Sequence, residues 1–227
     1  MSPIEELQDL DDVLNTRDLR AGFLRYTRDA YALLPAIDHP RILDIGCGSG
    51  AATIELARLS GSDVVGVDTD EAALVELRHR IEDAGLGERV KEVKASLFDI
   101  GFADESFDVL WEEGVLHLLD ATKGMKACHS LLKTKGHFVM HETIAWFEGI
   151  KAHLPAGGFS IVKEYLLPKR CWWTDYYSPL EDRIRRLRAE RGHNLSSAKL
   201  VQHEREIAMV KAGPDRFDCG FFILQRS

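Results

Sequence analysis

Hydrophobic and polar positions follow two alternating regimes along this chain. Compact apolar runs, too short for helices, recur between stretches whose apolar residues step by three and four. The short runs predict seven strands: Ile42–Ile45, Asp63–Asp68, Val90–Ala95, Phe107–Trp111, Gly136–Ile144, Ser160–Leu167 and Phe217–Gln225. The stepped stretches predict helices between them. Leu19, Phe23, Tyr26, Ala30 and Leu33 form an amphipathic stripe that ends at Pro35. Ala51–Ala57 carries good helix formers. Asp70 is placed to cap a helix whose apolar face holds Leu74, Leu77 and Ile81, with Gly85 as its stop. Asp120 caps a fourth over Ala121–Lys133, and Trp146–Leu154 reads as a short fifth. Strands alternating with helices imply a parallel sheet with right-handed crossovers, covered on both faces.

The last two strands are separated by about fifty residues of a different character. Ser178-Pro179-Leu180-Glu181 is a strong helix start: a serine cap, proline at the first helical position and glutamate three after the cap. That helix is expected to run to about Arg191 and stop at Gly192, with a second from about Ser196 to Gly213. Residues 1–16 read as a mobile or loosely helical lead-in.

The first strand breaks into glycines at alternate positions, giving Arg41–Gly50 as R-I-L-D-I-G-C-G-S-G. Glycines at Gly46, Gly48 and Gly50 allow a tight turn, positive φ and close approach of a ligand to the backbone. Strand, glycine turn and helix N-terminus together form a corner suited to a nucleotide-like cofactor. The turn also satisfies the G-x-G-x-x-A pattern of dinucleotide sites. Asp44 opposes that reading, because a fixed negative charge two residues before the first glycine suits a cationic or zwitterionic ligand better than a pyrophosphate.

Composition narrows the partners. With 29 basic and 37 acidic residues the net charge is −8, which disfavours nucleic acid as a partner. The basic series Arg183, Arg185, Arg186, Arg188 and Arg191 is interleaved with acids and reads as a solvated helix face. Four widely spaced cysteines suggest neither a zinc site nor a disulfide framework, and no other metal site is expected. A reducing cytoplasmic setting fits them best. No signal pattern and no apolar run of membrane-spanning length is present, so no membrane partner is expected.

Ligands of such sheets bind beyond the carboxyl ends of the strands, where strand order reverses. Asp68, 18 positions beyond Gly50, ends the second strand there. It suits two ribose hydroxyls, or else caps the following helix. Glu112 and Glu113 leave the fourth strand and Glu142 the fifth; they are solvated, cap helices, or favour an amine substrate if two face one cavity. His117 and His141 are the histidines in reach of this edge, each a structural hydrogen-bonder or a base, with His141 the better placed on a central strand. Trp146 lies just beyond the fifth strand.

The set I-L-D-I-G-C-G-S-G, V-V-G-V-D, D-E-S-F-D-V-L-W-E-E-G-V-L-H-L-L-D and S-L-L-K-T-K-G-H-F, spread over residues 41–144, resembles the class I S-adenosylmethionine-dependent methyltransferases. Residues 145–227 are similar to a small-molecule, type 11-like subgroup through W-W-T-D-Y-Y-S-P-L-E-D-R-I-R-R-L. The resemblance implies one α/β domain over residues 1–227, Rossmann-like and doubly wound. Its seven-stranded sheet would run in the order 3-2-1-4-5-7-6 with the last strand antiparallel. Residues 1–37 would form a helical cap and residues 168–216 a helical lid between strands six and seven. S-adenosylmethionine is the implied cofactor. Asp44, Gly46, Cys47, Gly48 and Gly50 would hold its methionine part and Asp68 its ribose. Thr69 and Leu97 would flank the adenine, and Glu112 would begin the loop near the transferable methyl. Ser96 stands where the family commonly has an acid for the adenine amino group.

The lid's first turn supplies Trp172, Trp173, Tyr176 and Tyr177, which either staple the lid to the domain or line an acceptor pocket. Glu113, His117 and Trp146 are further candidate acceptor contacts. His141, Glu112 and Glu142 are the candidates for proton handling. The expected reaction is methyl transfer to a small-molecule nitrogen or oxygen nucleophile by in-line displacement, governed by alignment and desolvation. Base-amine methyltransferases carry an [N/D]-P-P-[Y/F] turn where this chain has Trp111-Glu112-Glu113-Gly114. Two other readings stay open: a nicotinamide-dependent oxidoreductase, and a non-catalytic S-adenosylmethionine-binding protein.

Overall fold

The computed structural model describes residues 10, 13–191 and 197–227. Most of the predicted lead-in, the helix stop at Gly192 and the helix start at Ser196 lie outside the described residues. The chain divides into two compact units: Tyr26–Leu166 with Cys219–Ser227, and Met1–Arg25 with Leu167–Asp218.

The larger unit is built on the expected sheet. Its strands are β1 (Ile42–Ile45), β2 (Val64–Asp68), β3 (Val90–Lys94), β4 (Phe107–Glu113), β5 (Leu132–Thr143), β6 (Phe159–Leu166) and β7 (Cys219–Arg226). They lie in the order β3-β2-β1-β4-β5-β7-β6. β1 to β5 pair in parallel, while β7 runs antiparallel to both β5 and β6. All four residues of β1 are buried, as a strand covered on both faces requires. β3 and β6 are the edge strands; β6 exposes Ile161, Val162 and Leu166 but carries Lys163 and Glu164 among them, which guards an open edge against foreign strands.

α1 (Thr16–Tyr31) belongs to the smaller unit up to Arg25 and to the larger from Tyr26; the other helices of the larger unit are α2 (Ala51–Ser60), α3 (Glu71–Asp83), α4 (Ala121–Leu131) and α5 (Ile144–Lys151). Asp70 and Asp120 cap α3 and α4 as predicted, accepting from backbone N–H groups of their first turns. A continuous core packs Leu43, Ile45, Leu110, Phe138, Met140 and Phe222 against Cys128, Leu131 and Phe147. Phe147 stacks on Phe222 at 3.7 Å between ring centroids. Each such fully buried large side chain stabilises by about 1.5–3 kcal/mol.

Several boundaries differ from expectation. α1 ends at Tyr31, short of Pro35, and the chain then tightens into turns in which Leu33 and Leu34 N–H groups donate to the Ala30 and Tyr31 carbonyls. β4 runs two residues further than predicted, so Glu112 and Glu113 belong to the strand itself. β5 starts at Leu132, four residues before the predicted Gly136, and ends at Thr143. Phe217 closes a 3-10 turn, Pro214–Phe217, rather than opening β7.

The smaller unit is helical: a π-helical segment Trp172–Tyr177, then α6 (Ser178–Arg191) and α7 (Ala198–Ala212). Ser178 does not cap α6. Its backbone is helical (φ −65°, ψ −47°) and its N–H reaches back to the Trp173 carbonyl, so the helix is already running when it meets Ser178-Pro179. Pro179 has no N–H and its ring crowds the carbonyl four residues earlier; the widened π turn accommodates both defects. Phe23 stacks on Trp172 at 4.4 Å, and Arg20 lies over the rings of Trp172 and Tyr176. Arg185 and Arg186 of the basic series are exposed, as a solvated helix face requires, while Arg183 and Arg188 are half-buried. Arg183 donates to the Leu14 and Asn15 carbonyls, Arg185 pairs with Asp182 and Arg188 with Glu204. Among the described residues, no helix is long and apolar enough to cross a membrane.

Candidate active site

At the carboxyl edge of the sheet, β1 runs directly into the glycine turn. The Gly46 and Cys47 N–H groups both donate to the Val67 carbonyl, at 2.8 and 3.0 Å, which ties the turn to the end of β2. Gly46, Gly48 and Gly50 have φ of +67°, +52° and +81°. The outer two are also required by packing. A Cβ on Gly46 would lie 2.2 Å from Val115 Cγ2, and one on Gly50 2.1 Å from Leu77 Cδ1. Gly48 differs, since a Cβ there would meet nothing within 4 Å. The middle of the turn is an open cradle of backbone.

Asp68 closes the cradle from the side. Gly48 N–H donates to its Oδ2 at 2.8 Å and Asp70 N–H to its Oδ1 at 2.9 Å. The cap of the following helix is Asp70, which accepts from Ala72 N–H at 2.9 Å, so the capping role weighed for Asp68 belongs to Asp70. An ionised carboxylate offers about four acceptor positions, which leaves Asp68 capacity for two further donors.

Asp44 is buried beneath the turn and accepts from Thr53 Oγ1 at 2.6 Å. Burial pushes its carboxyl up to about 8; the Thr53 hydroxyl opposes the shift, and the charges of Glu113 and Asp68 reinforce it. Burial, with Asp44 and Asp68 nearby, also pushes the Cys47 thiol up, so Cys47 is no thiolate nucleophile.

β4 ends in a second, differently built turn. Successive strand residues point to opposite faces, so the neighbours Glu112 and Glu113 part company. Glu113 Oε1 accepts from Thr27 Oγ1 at 2.8 Å and Trp111 Nε1 at 2.9 Å. Glu112 shares the other face with Glu142, since Glu112 registers with Met140 and Glu142 lies two residues on. Glu112 Oε2 accepts from Val115 N–H at 2.8 Å, and its buried Oε1 has no hydrogen-bond partner among the described residues. Glu142 accepts from His117 N–H at 3.0 Å and meets His117 Nδ1 at 2.9 Å. Burial and the neighbouring Glu142 hold the Glu112 carboxyl well above the usual range. Burial also raises Glu142, while His117 pulls it back.

His141 points to the face opposite Glu142. It is buried, stacks on Phe221 at 4.6 Å and places Nε2 3.3 Å from Cys219 Sγ. Burial lowers it to about 4. Of the remaining predicted residues, Thr69 is exposed, and Ser96 Oγ accepts from Phe98 N–H at 3.3 Å. Leu97 is buried in the core, and Trp146 packs against that core. In the helical unit, Tyr176 and Tyr177 meet edge to face at 4.9 Å, and Lys211 Nζ lies 5.5 Å from the Trp173 ring centre.

Sequence reasoning missed three contributors. Thr53 lies in the first turn of α2, nine residues after Asp44, where a hydroxyl facing back toward the strand end is a usable signal. Val115 against Gly46 and Thr27 against Glu113 had none, because each contact spans more than sixty residues.

Taken together, these features define an α/β protein with a backbone cradle, a buried acid and a flanking acid at the carboxyl edge of the sheet. The donor set fits S-adenosylmethionine: an open glycine turn for close approach, a buried carboxyl for an ammonium, and a carboxylate with spare capacity for ribose hydroxyls. Residues 43–140 match the family model described as "Methyltransferase domain". Ubiquinone biosynthesis O-methyltransferase of Cereibacter sphaeroides is 38% identical over 115 residues, covering 50% of this chain and 45% of that protein. The chain spans less than half the length of the curated relatives it matches. Phosphoethanolamine N-methyltransferase 2 of Haemonchus contortus, solved with S-adenosyl-L-methionine, superposes with a TM-score of 0.66 at 18% identity, over 88% of this chain and 52% of that one. The [4+2]-cyclase SpnF superposes at 0.75 with 15% identity, over 89% and 80%. Residues 43–140 carry a methyltransferase domain of the class I S-adenosylmethionine-dependent type, with S-adenosylmethionine as its cofactor.

Proposed function

We propose that the protein transfers a methyl group from S-adenosylmethionine to a small-molecule nitrogen or oxygen nucleophile. The observation that carries this reading is the buried Asp44 carboxyl, held by Thr53 beneath a glycine cradle that no side chain fills. When bound, the cofactor supplies a sulfonium methyl that is already activated, so the protein's work is alignment and exclusion of water. In this proposal Asp44 takes the ammonium of the methionine part, and Gly46, Cys47, Gly48 and Gly50 present backbone to it. Asp68 takes the ribose hydroxyls. Thr69, Ser96 and Leu97 border the adenine, and Glu112 anchors the turn beside the methyl. Trp172, Trp173, Tyr176 and Tyr177 are assigned to acceptor recognition, as are Glu113 and Trp146. The wide spacing of the four cysteines supports a reducing cytoplasmic setting.

Thermal shift with S-adenosylmethionine, S-adenosylhomocysteine and NADH tests the donor, because a ligand of the native state raises the melting temperature. The two sulfur compounds should stabilise and NADH should not; stabilisation by NADH alone would sink the proposal. Transfer of labelled methyl to a panel of phenols and amines tests the reaction itself. Binding without transfer to any acceptor would favour a non-catalytic role, and a fold shared with a cyclase makes that arm necessary.

A further inference from the structure

The turn after β4 holds a histidine in an arrangement that neither donor binding nor packing requires. His117 Nδ1 lies 2.9 and 3.2 Å from the two oxygens of Glu142, and the same carboxylate accepts the His117 backbone N–H. Glu142 is 1% exposed in its side chain, whereas His117 is 43% exposed. His117 Nε2 makes no hydrogen bond to any described residue. The turn also sits at the donor corner, since Val115, two residues earlier, is the side chain packed against Gly46.

We propose that His117 is the general base of the reaction, with Glu142 as its positioning residue, and that the acceptor carries a proton on its nucleophilic atom. The proposal rests on the methyl-transfer reading above and deepens it. Two buried carboxyl groups, Glu112 and Glu142, face the same turn, and close like charges in a buried site cannot both ionise readily. Glu142 receives the donors of His117, while Glu112 keeps a buried oxygen without a hydrogen-bond partner among the described residues. The single negative charge therefore resides on Glu142 and the proton on Glu112. An ionised carboxylate can only accept, so the hydrogen of neutral His117 must be on Nδ1. Its Nε2 is then a bare lone pair turned away from Glu142.

The proton balance follows. As the acceptor atom bonds the methyl carbon, the methyl–sulfur electron pair stays on sulfur. The proton displaced from the acceptor passes to His117 Nε2, and the imidazolium is stabilised by Glu142 until the proton leaves to water. Phenols, alcohols and protonated or primary amines need such a base; a tertiary amine does not. His141, the histidine better placed by sequence, has its Nε2 against Cys219 within the core.

The test has one readout that needs no cofactor. Histidine side-chain nitrogen–proton correlation spectra of the ligand-free, 15N-labelled protein should show His117, assigned by its loss in H117Q, mainly as the Nδ1–H tautomer. Glu142→Gln should shift that population toward Nε2–H, and Glu142→Asp should restore part of it. With S-adenosylmethionine and catechol or tyramine as probes, H117Q should lower kcat about 100-fold or more while leaving KM for S-adenosylmethionine unchanged. An Nε2–H tautomer in the wild-type protein overturns the proposal, as does wild-type kcat in H117Q. Failure of the wild-type protein to bind S-adenosylmethionine overturns the functional reading instead, and leaves the tautomer to decide the dyad.

Discussion

Two turns meet at the carboxyl edge of the sheet, and they are built on opposite principles. The turn after β1 is made of backbone: three glycines with positive φ, N–H groups tied to β2, and an open middle. The turn after β4 is made of side chains, with two buried carboxyl groups taking its N–H groups and orienting His117. The first leaves backbone open to close approach by a ligand, and the second carries the proton-handling role proposed for His117. Val115 packed on Gly46 joins them. If the roles proposed for the two turns hold, donor recognition and proton handling can be perturbed separately, and the Val115–Gly46 contact is a place to test their coupling.

The largest expected effect is at the junction. Gly46→Ala imposes φ +67° on a residue with a Cβ and drives it into Val115, which should cost on the order of 2–5 kcal/mol in chemical denaturation. Adding Val115→Ala should recover at least about 1 kcal/mol. An additive double mutant would show that the two turns are not coupled there.

Asp44→Asn should next weaken S-adenosylhomocysteine by roughly 10- to 150-fold, equivalent to about 1.5–3 kcal/mol, in calorimetric titration. The same substitution should stabilise the ligand-free protein at alkaline pH. Asp44 has a folded value near 8, raised above its unfolded value by burial. A raised acid contributes stability that is present below the unfolded value and lost as pH rises through about 8, a loss that Asn cannot show. Equal melting curves for the two proteins up to pH 9 would contradict the raised value.

Thr53→Val removes the donor to the buried Asp44 oxygen and should destabilise by about 1–3 kcal/mol, read by denaturation at neutral pH. Gly48→Ala should be the mildest for folding, about 1–2 kcal/mol for its positive φ with no overlap. It should nevertheless reduce cofactor affinity measurably, because the new methyl enters the cradle. Unchanged affinity would move the ligand away from this turn and erase the distinction between Gly48 and its neighbours.

The legible and illegible parts of the molecule divide along physical lines. Strand and helix succession, the glycine corner, the caps at Asp70 and Asp120 and the sheet order were all readable, by periodicity, by backbone freedom or by family resemblance. Such features depend on residues a few positions apart, whose steric and hydrogen-bonding preferences act within one turn or strand. Ser178 shows the limit even there: a strong local start signal was overridden because the preceding π turn had already committed the chain to a helix.

Glu112, Glu113, His117, His141 and Glu142 were visible as candidates, but their roles were not. Adjacent side chains on β4 are sent to opposite faces, and Glu142 is brought to His117 across 25 residues. His141 is turned into the core against Cys219, 78 residues away. Protonation, tautomer and accessibility depend on what surrounds a group in space, because desolvation and pairing are set by neighbours that the linear chain does not place. The sequence by itself determined the sheet, the corner and the donor. Only the tertiary structure decided which acids are buried together, which histidine faces solvent, and how the second turn packs on the first.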